Sequence, residues 1–159
     1  MRRYFSSVIK KARSKRSSRS MIARSKERDS GLRPLIAIVD DDRSVREALR
    51  SLFGSMGFQT ELFARGQDFL NSPHMSETSC LILDVVMPGM DGLELQGQLA
   101  ARRSIPIIFI TGHADQNTCA RALRAGAVSF LAKPFSEEVL LSALHSALED
   151  GGGRAEGFL

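Results

Sequence analysis

From Leu35 onward the chain alternates short apolar runs with stretches whose apolar residues recur every three or four positions. The runs are Leu35–Val39, Cys80–Leu83, Ile107–Ile110 and Val128–Ala132, with a weaker one at Thr60–Ala64. Continuous runs of this length, rich in branched residues, predict strands buried on both faces. After the first run, Val45, Ala48, Leu49, Leu52, Phe53 and Met56 fall on one face of a helix that Gly57 stops. Further helices are predicted over Gly66–Asn71, Gly92–Arg102 and Asp115–Ala125, the last stopped by Gly126. Ser136 caps a fifth, with Glu137 and Glu138 in its first turn, where the helix dipole favours negative charge, and with Leu140, Leu141, Leu144 and Leu148 on its inner side. Five strand–helix units predict the α/β class: a doubly wound parallel sheet with right-handed crossovers and helices on both faces.

Composition sharpens this picture mainly by dividing the chain. Residues 1–34 hold 12 Lys and Arg against 2 acidic residues, a net +10, whereas residues 35–159 carry a net −6. The basic balance of the whole chain therefore belongs to its N-terminal segment and is no nucleic-acid signature of the folded part. Residues 1–33 are Arg/Ser-rich with few apolar positions, so they are expected to be disordered. They read as a solvated tail, sequence upstream of a start at Met21, an organellar transit peptide, or an arm for nucleic acid or anionic lipid. Residues 34–150 form the expected domain, and 151–159 a short Gly-rich tail. No apolar run approaches the roughly 18 residues of a membrane span. The basic start lacks the apolar stretch of a secretory signal. Cys80 and Cys119 form no disulfide framework or metal-ligand spacing, and they read as small apolar groups buried on a strand and a helix. A reducing, cytoplasmic setting is expected.

In open α/β sheets, ligand sites lie beyond the carboxyl ends of the strands. Asp40, Asp41 and Asp42 follow the first strand, Asp84 follows the run at Cys80–Leu83, Thr111 follows Ile110, and Lys133 follows Ala132. Four of the five strands thus deliver polar groups to one edge. Carboxylates gathered there raise one another's pKa unless a cation sits among them. With no His or Cys cluster, a hard divalent ion such as Mg²⁺ fits better than zinc. One carboxylate is then available as a nucleophile in phosphoryl transfer, with Lys133 and Thr111 placed to contact phosphoryl oxygens.

The strings Val39-Asp40-Asp41-Asp42, Leu83-Asp84-Val85-Val86-Met87-Pro88-Gly89-Met90-Asp91-Gly92, Ile110-Thr111-Gly112-His113 and Lys133-Pro134-Phe135 resemble the receiver (CheY-like) domain of two-component response regulators, most of all the FixJ-like subgroup. The likeness runs from about Leu35 to Leu148. It implies a flavodoxin-like (βα)5 fold with strand order 2-1-3-4-5. It also implies that Asp84 accepts a phosphoryl group from a sensor histidine kinase or a histidine phosphotransfer protein. Mg²⁺ would be bound by Asp41, Asp84 and the backbone carbonyl of Val86, and by Asp40 through water. Lys133, joined to Pro134 by a cis bond, would pair with the phosphate. Thr111 would be the switch hydroxyl and Phe130 the switch aromatic. Relatives usually carry a C-terminal DNA-binding domain, for which the 11 residues after Leu148 leave no room. A stand-alone receiver acting on an unknown downstream protein is therefore expected, rather than an enzyme. DNA binding through the basic arm and a truncated two-domain regulator are the alternatives.

Other polar residues have plainer readings. Asp42 and Asp91 read as helix caps or turn residues. His113 tunes access to the phosphoryl group or is a loop histidine. His74 and His145 show no partner in the sequence and read as surface residues. A dehalogenase-like phosphatase, which also forms an aspartyl phosphate, needs a second carboxylate two residues after the nucleophile; that position is Val86.

Overall fold

The apolar runs lie side by side as five parallel strands in the order β2-β1-β3-β4-β5. The computed structural model describes residues 33–153, so the basic segment and the last six residues lie outside the described part. In chain order the elements are β1 (Leu35–Val39), α1 (Arg43–Ser55), β2 (Gln59–Phe63), α2 (Gly66–Leu70), a 3-10 turn (Pro73–Glu77), β3 (Thr78–Asp84), α3 (Gly92–Ala100), β4 (Ile107–Thr111), α4 (Gln116–Arg124), β5 (Ser129–Ala132) and α5 (Glu137–Gly153). This is the flavodoxin-like arrangement. The strand order reverses between β1 and β3, which places a crevice at their carboxyl ends.

Alternate strand residues feed two separate cores. Ile36, Ile38, Ile82, Ile108 and Ile110 pack under α1 and α5, against Leu49, Phe53, Leu140 and Leu144. Ala37, Val39, Leu81, Leu83 and Phe109 pack on the other face, against Phe69, Leu95 and Leu99 from α2 and α3. Both faces of β1, β3 and β4 are covered, and this is why those strands read as unbroken apolar runs. The edge strand β5 differs. Its run was expected from Val128, but only Ser129–Ala132 is strand, and Leu131 is its one buried residue. A strand paired on one side only, with β4, has less of its surface covered. The central β3 is longer than its apolar run, because β1 and β4 also pair with its polar beginning and its last residue.

Caps set the starts of the helices at the site edge. Asp42 accepts from the Ser44 N–H at 2.8 Å, Asp91 from Glu94 at 2.8 Å, Asp115 from Thr118 at 2.7 Å, and the Ser136 hydroxyl from Val139 at 3.2 Å. The Ser44 N–H also holds the Asp42 carboxyl below the usual aspartate range. α1 and α4 end where Gly57 and Gly126 take positive φ, at 88° and 103°. α5 runs to Gly153, three residues past the expected boundary at 150. Glycine costs a helix about 1 kcal/mol relative to alanine but does not bar it. α4 is the most lightly seated helix of the α2–α4 face. Ala122 is its only fully buried residue, and the buried Gln96 amide on α3 ties it down by donating to the Ala122 carbonyl at 2.9 Å.

α3 starts hard against the end of β3. The Gly92 N–H donates to the Val85 carbonyl at 2.8 Å. A Cβ on Gly92 would stand 2.4 Å from the Asp84 carbonyl oxygen and 2.9 Å from Val85 Cα. Only a residue without a side chain permits that approach. Gly97, in the middle of the same helix, has open space around it. Gly92→Ala is therefore expected to destabilise the protein by roughly 1–3 kcal/mol, the usual scale of overpacking, and Gly97→Ala to stabilise it by about 0.5–1 kcal/mol. Urea unfolding of the two variants checks both signs.

Candidate functional site

The sheet register brings the strand-end residues together. Val39 lies beside Leu83, so Asp40 and Asp84 follow on adjoining strands, and Thr111 at the end of β4 lies beside Ala132 of β5. Oxygen atoms of Asp40, Asp41 and Asp84 all lie within 4.8 Å of one another. Asp40 is fully buried, Asp84 is 6 % exposed, and Asp41 faces solvent. The Lys133 ammonium reaches into this group, 3.1 Å from Asp40 Oδ2 and 3.8 Å from Asp84 Oδ2. Lysine thus contacts Asp40 more closely than the expected acceptor, Asp84. The Lys133–Pro134 peptide is cis, and the Lys133 N–H donates to the Thr111 carbonyl at 2.7 Å.

Asp40 is the most tightly held member. Its N–H donates to the Phe63 carbonyl at 3.1 Å. Its Oδ1 accepts from the Asp42 N–H at 2.8 Å. Its own carbonyl accepts from Arg46 Nη1 at 2.7 Å. Asp84 Oδ1 accepts a long bond, 3.4 Å, from the Val86 N–H. The Val86 side chain stands out in solvent, 54 % exposed, so this residue meets the site through its backbone. Thr111 is fully buried, and its hydroxyl accepts from the His113 N–H at 3.1 Å. Phe130 is only partly buried. It packs on Phe109, ring centres 5.9 Å apart, in the apolar cluster of the α2–α4 face.

Burial, followed by the Asp40 carboxylate, raises the Asp84 pKa to about 6, against the pull of Lys133 and of the Val86 N–H. Three crowded carboxylates and one amine leave negative charge in excess. The donors are all oxygens, the set a hard divalent cation takes. The residues fit such an ion, and Asp41 and Asp84 present carboxylates of different exposure to it.

The model of the response regulator receiver domain matches residues 36–145, a span that contains every one of these side chains. The chain belongs to the response regulator receiver family. The receiver is 50 % identical over 116 residues to the response regulator protein TodT of Pseudomonas putida, covering 72 % of this chain and 51 % of TodT. It is 42 % identical over 129 residues to nodulation protein W of Bradyrhizobium diazoefficiens, covering 80 % and 57 %. Among solved structures it resembles the response regulator StyR, with a TM-score of 0.72 and 46 % identity over 79 % of this chain and 64 % of that one. It also resembles FixJ-N, with a TM-score of 0.67 and 33 % identity over 74 % and 95 %. The chain spans about half the length of the curated relatives it matches. Among the described residues, no helix of the receiver is long and apolar enough to cross a membrane.

Several expectations need correcting. His74 and His145 are partnered. His74 lies 3.3 Å from Glu77 and 3.8 Å from Glu61, and His145 lies 3.1 Å from Glu149 one helical turn away. The partners three and four residues on could have been found by helical spacing; Glu61 could not. Cys80 is buried, but Cys119 only partly. Glu137 was expected to sit favourably in the first turn of α5. It is instead 1 % exposed, with neither carboxylate oxygen hydrogen-bonded. Burial pushes its pKa from 4.5 up to about 7. Arg46 was missed altogether. Its signal, a long cationic side chain one turn into the helix that follows an acidic strand end, is visible only with hindsight.

Two titrations follow. In the metal-free protein, the Asp84 carboxyl is expected to titrate at about pH 6, read from its side-chain ¹³C shift. A midpoint below pH 4 contradicts this. Between pH 4.5 and about 7 the folded state holds a proton on Glu137 that the unfolded state has lost, so this residue's contribution to stability falls as pH rises. Glu137→Gln is accordingly expected to raise the melting temperature at pH 8 by a few degrees more than at pH 5.

Proposed function

We propose that this receiver accepts a phosphoryl group on Asp84 from a phosphohistidine of a sensor histidine kinase or a histidine phosphotransfer protein. The observation that carries the reading is the convergence of three carboxylates within 4.8 Å of one another, with the Lys133 ammonium among them. An Asp84 oxygen forms the bond to phosphorus as the phosphorus–nitrogen bond breaks, and the imidazole leaves with the electron pair. Mg²⁺ would be held by Asp41, by Asp84, by the Val86 carbonyl and through water by Asp40, and it would supply positive charge to draw the carboxylate and the phosphoryl oxygens together.

The rest of the work falls to the protein's own side chains. Lys133, already 3.8 Å from Asp84, pairs with a phosphoryl oxygen and offsets its charge. Because Lys133 leans toward Asp40 beforehand, its positive charge needs only a small shift. The Thr111 hydroxyl turns its proton to a second phosphoryl oxygen, and Phe130 follows it inward from its seat on Phe109. The surface of α4, β5 and α5 then changes, and a downstream protein reads it. Phosphorylation favours the active arrangement only through its differential contacts there. The protein acts as a phosphoacceptor that turns over its own aspartyl phosphate, not as an enzyme on an external substrate, and its setting is the cytoplasm.

Asp84→Asn is expected to abolish labelling of the full chain by acetyl phosphate with Mg²⁺, measured by intact mass. Labelling at wild-type stoichiometry overturns Asp84 as the acceptor. Asp41→Ala is expected to weaken Mg²⁺ binding more than tenfold by calorimetry, and Lys133→Ala to keep the fold but impair signalling.

A further inference from the structure

Asp41 is the exposed member of the carboxylate group, and no hydrogen bond holds its side chain among the described residues. The main chain that carries it therefore sets the start of the side chain, its Cα–Cβ bond, and with that the region its χ rotamers can reach. That main chain is clamped. The oxygen of the peptide joining Asp40 to Asp41 accepts from Arg46 Nη1 at 2.7 Å, a short bond to a charged donor. Asp40 itself cannot turn, because its N–H is paired with the Phe63 carbonyl and its two carboxylate oxygens meet the Asp42 N–H and Lys133. A peptide unit is planar and rotates as one body. Fixing its oxygen therefore sets ψ of Asp40 and φ of Asp41 together, and with them the direction of the Asp41 Cα–Cβ bond.

We propose that Arg46 is a positioning residue for the cation: by gripping the Asp40 carbonyl from the first turns of α1, it aims the Asp41 carboxylate at the point where Asp40 and Asp84 already converge. The inference rests on the metal reading given above. It has an unusual sign. Arg46 is a positive charge beside a site for a divalent cation, so on Coulombic grounds alone its removal tightens binding. The clamp demands the reverse.

The test is calorimetric titration of the full chain with Mg²⁺, for wild type, Arg46→Met, Arg46→Lys and Asp41→Ala. Arg46→Met keeps the aliphatic stem and loses the donor; it is expected to bind Mg²⁺ about tenfold more weakly, the scale of one hydrogen bond to a charged group. Arg46→Lys, whose ammonium can still donate to the carbonyl, is expected to stay within about threefold of wild type. Equal or tighter binding by Arg46→Met overturns the proposal, and so does a lysine variant as weak as the methionine one. Should Arg46→Met fail to fold, Arg46→Gln, uncharged and on a shorter arm, replaces it under the same criterion: weaker binding supports the clamp and equal or tighter binding overturns it. If wild type takes up no Mg²⁺, or Asp41→Ala binds as well as wild type, the metal reading fails and the clamp with it. If wild-type binding is intact and depends on Asp41, a failure among the Arg46 variants counts against the clamp alone.

Discussion

Two buried carboxylates on adjoining strands, held against a single amine, are the constraint around which this receiver is built. Asp40 and Asp84 are taken from water by the sheet itself, and together they carry more negative charge than Lys133 offsets. A buried charge without a partner is costly. The arrangement persists because the strands that impose it are anchored by two apolar cores, whose members reach the residues directly before the charged edge. The raised pKa of Asp84 follows from burial first and from the neighbouring Asp40 carboxylate second. A cation placed among the three carboxylates would offset the excess negative charge.

Rigidity is distributed unevenly around this edge. Asp40 uses its amide, its carbonyl and both carboxylate oxygens. The Asp84 carboxylate has one long hydrogen bond and the Lys133 ammonium at 3.8 Å, and the Thr111 hydroxyl has a single donor from the neighbouring loop. Asp40 is thus the most fully partnered of these groups, and the side chains of Asp84 and Thr111 are held by fewer contacts. Lys133 links the two sets, because its N–H is tied to Thr111 while its ammonium remains among the carboxylates.

How much of this was legible in the residues depended on the kind of signal. β1, β3 and β4 were legible because burial on both faces leaves no polar position, and Asp40, Asp84, Thr111 and Lys133 because they terminate those runs and their neighbour. β5 was overextended at Val128 because an apolar run does not say how many neighbours a strand has. The contents of the site were readable; the pairings were not. Whether Lys133 leans on Asp40 or Asp84 is decided by 0.7 Å, below anything spacing can encode. Glu137 misled because carboxylates in a first turn ordinarily serve the helix dipole from solvent, and its burial depends on how α5 lies on the sheet. Arg46 acts through a main-chain oxygen, which no side-chain motif reports.

The uneven seating of the helices has a consequence of its own. α1 and α5 each sink several large side chains into the sheet, whereas α4 sinks the methyl of Ala122 and relies on the amide of Gln96 for its hold. Lifting α4 off therefore exposes little apolar surface and breaks one side-chain bond, while lifting α1 strips the whole inner face. Amide protons on α4 are therefore expected to exchange by local opening, and those of β1 and β3 only when everything unfolds. A protein divided in this way can reshape one flank without loosening the carboxylates at its rim.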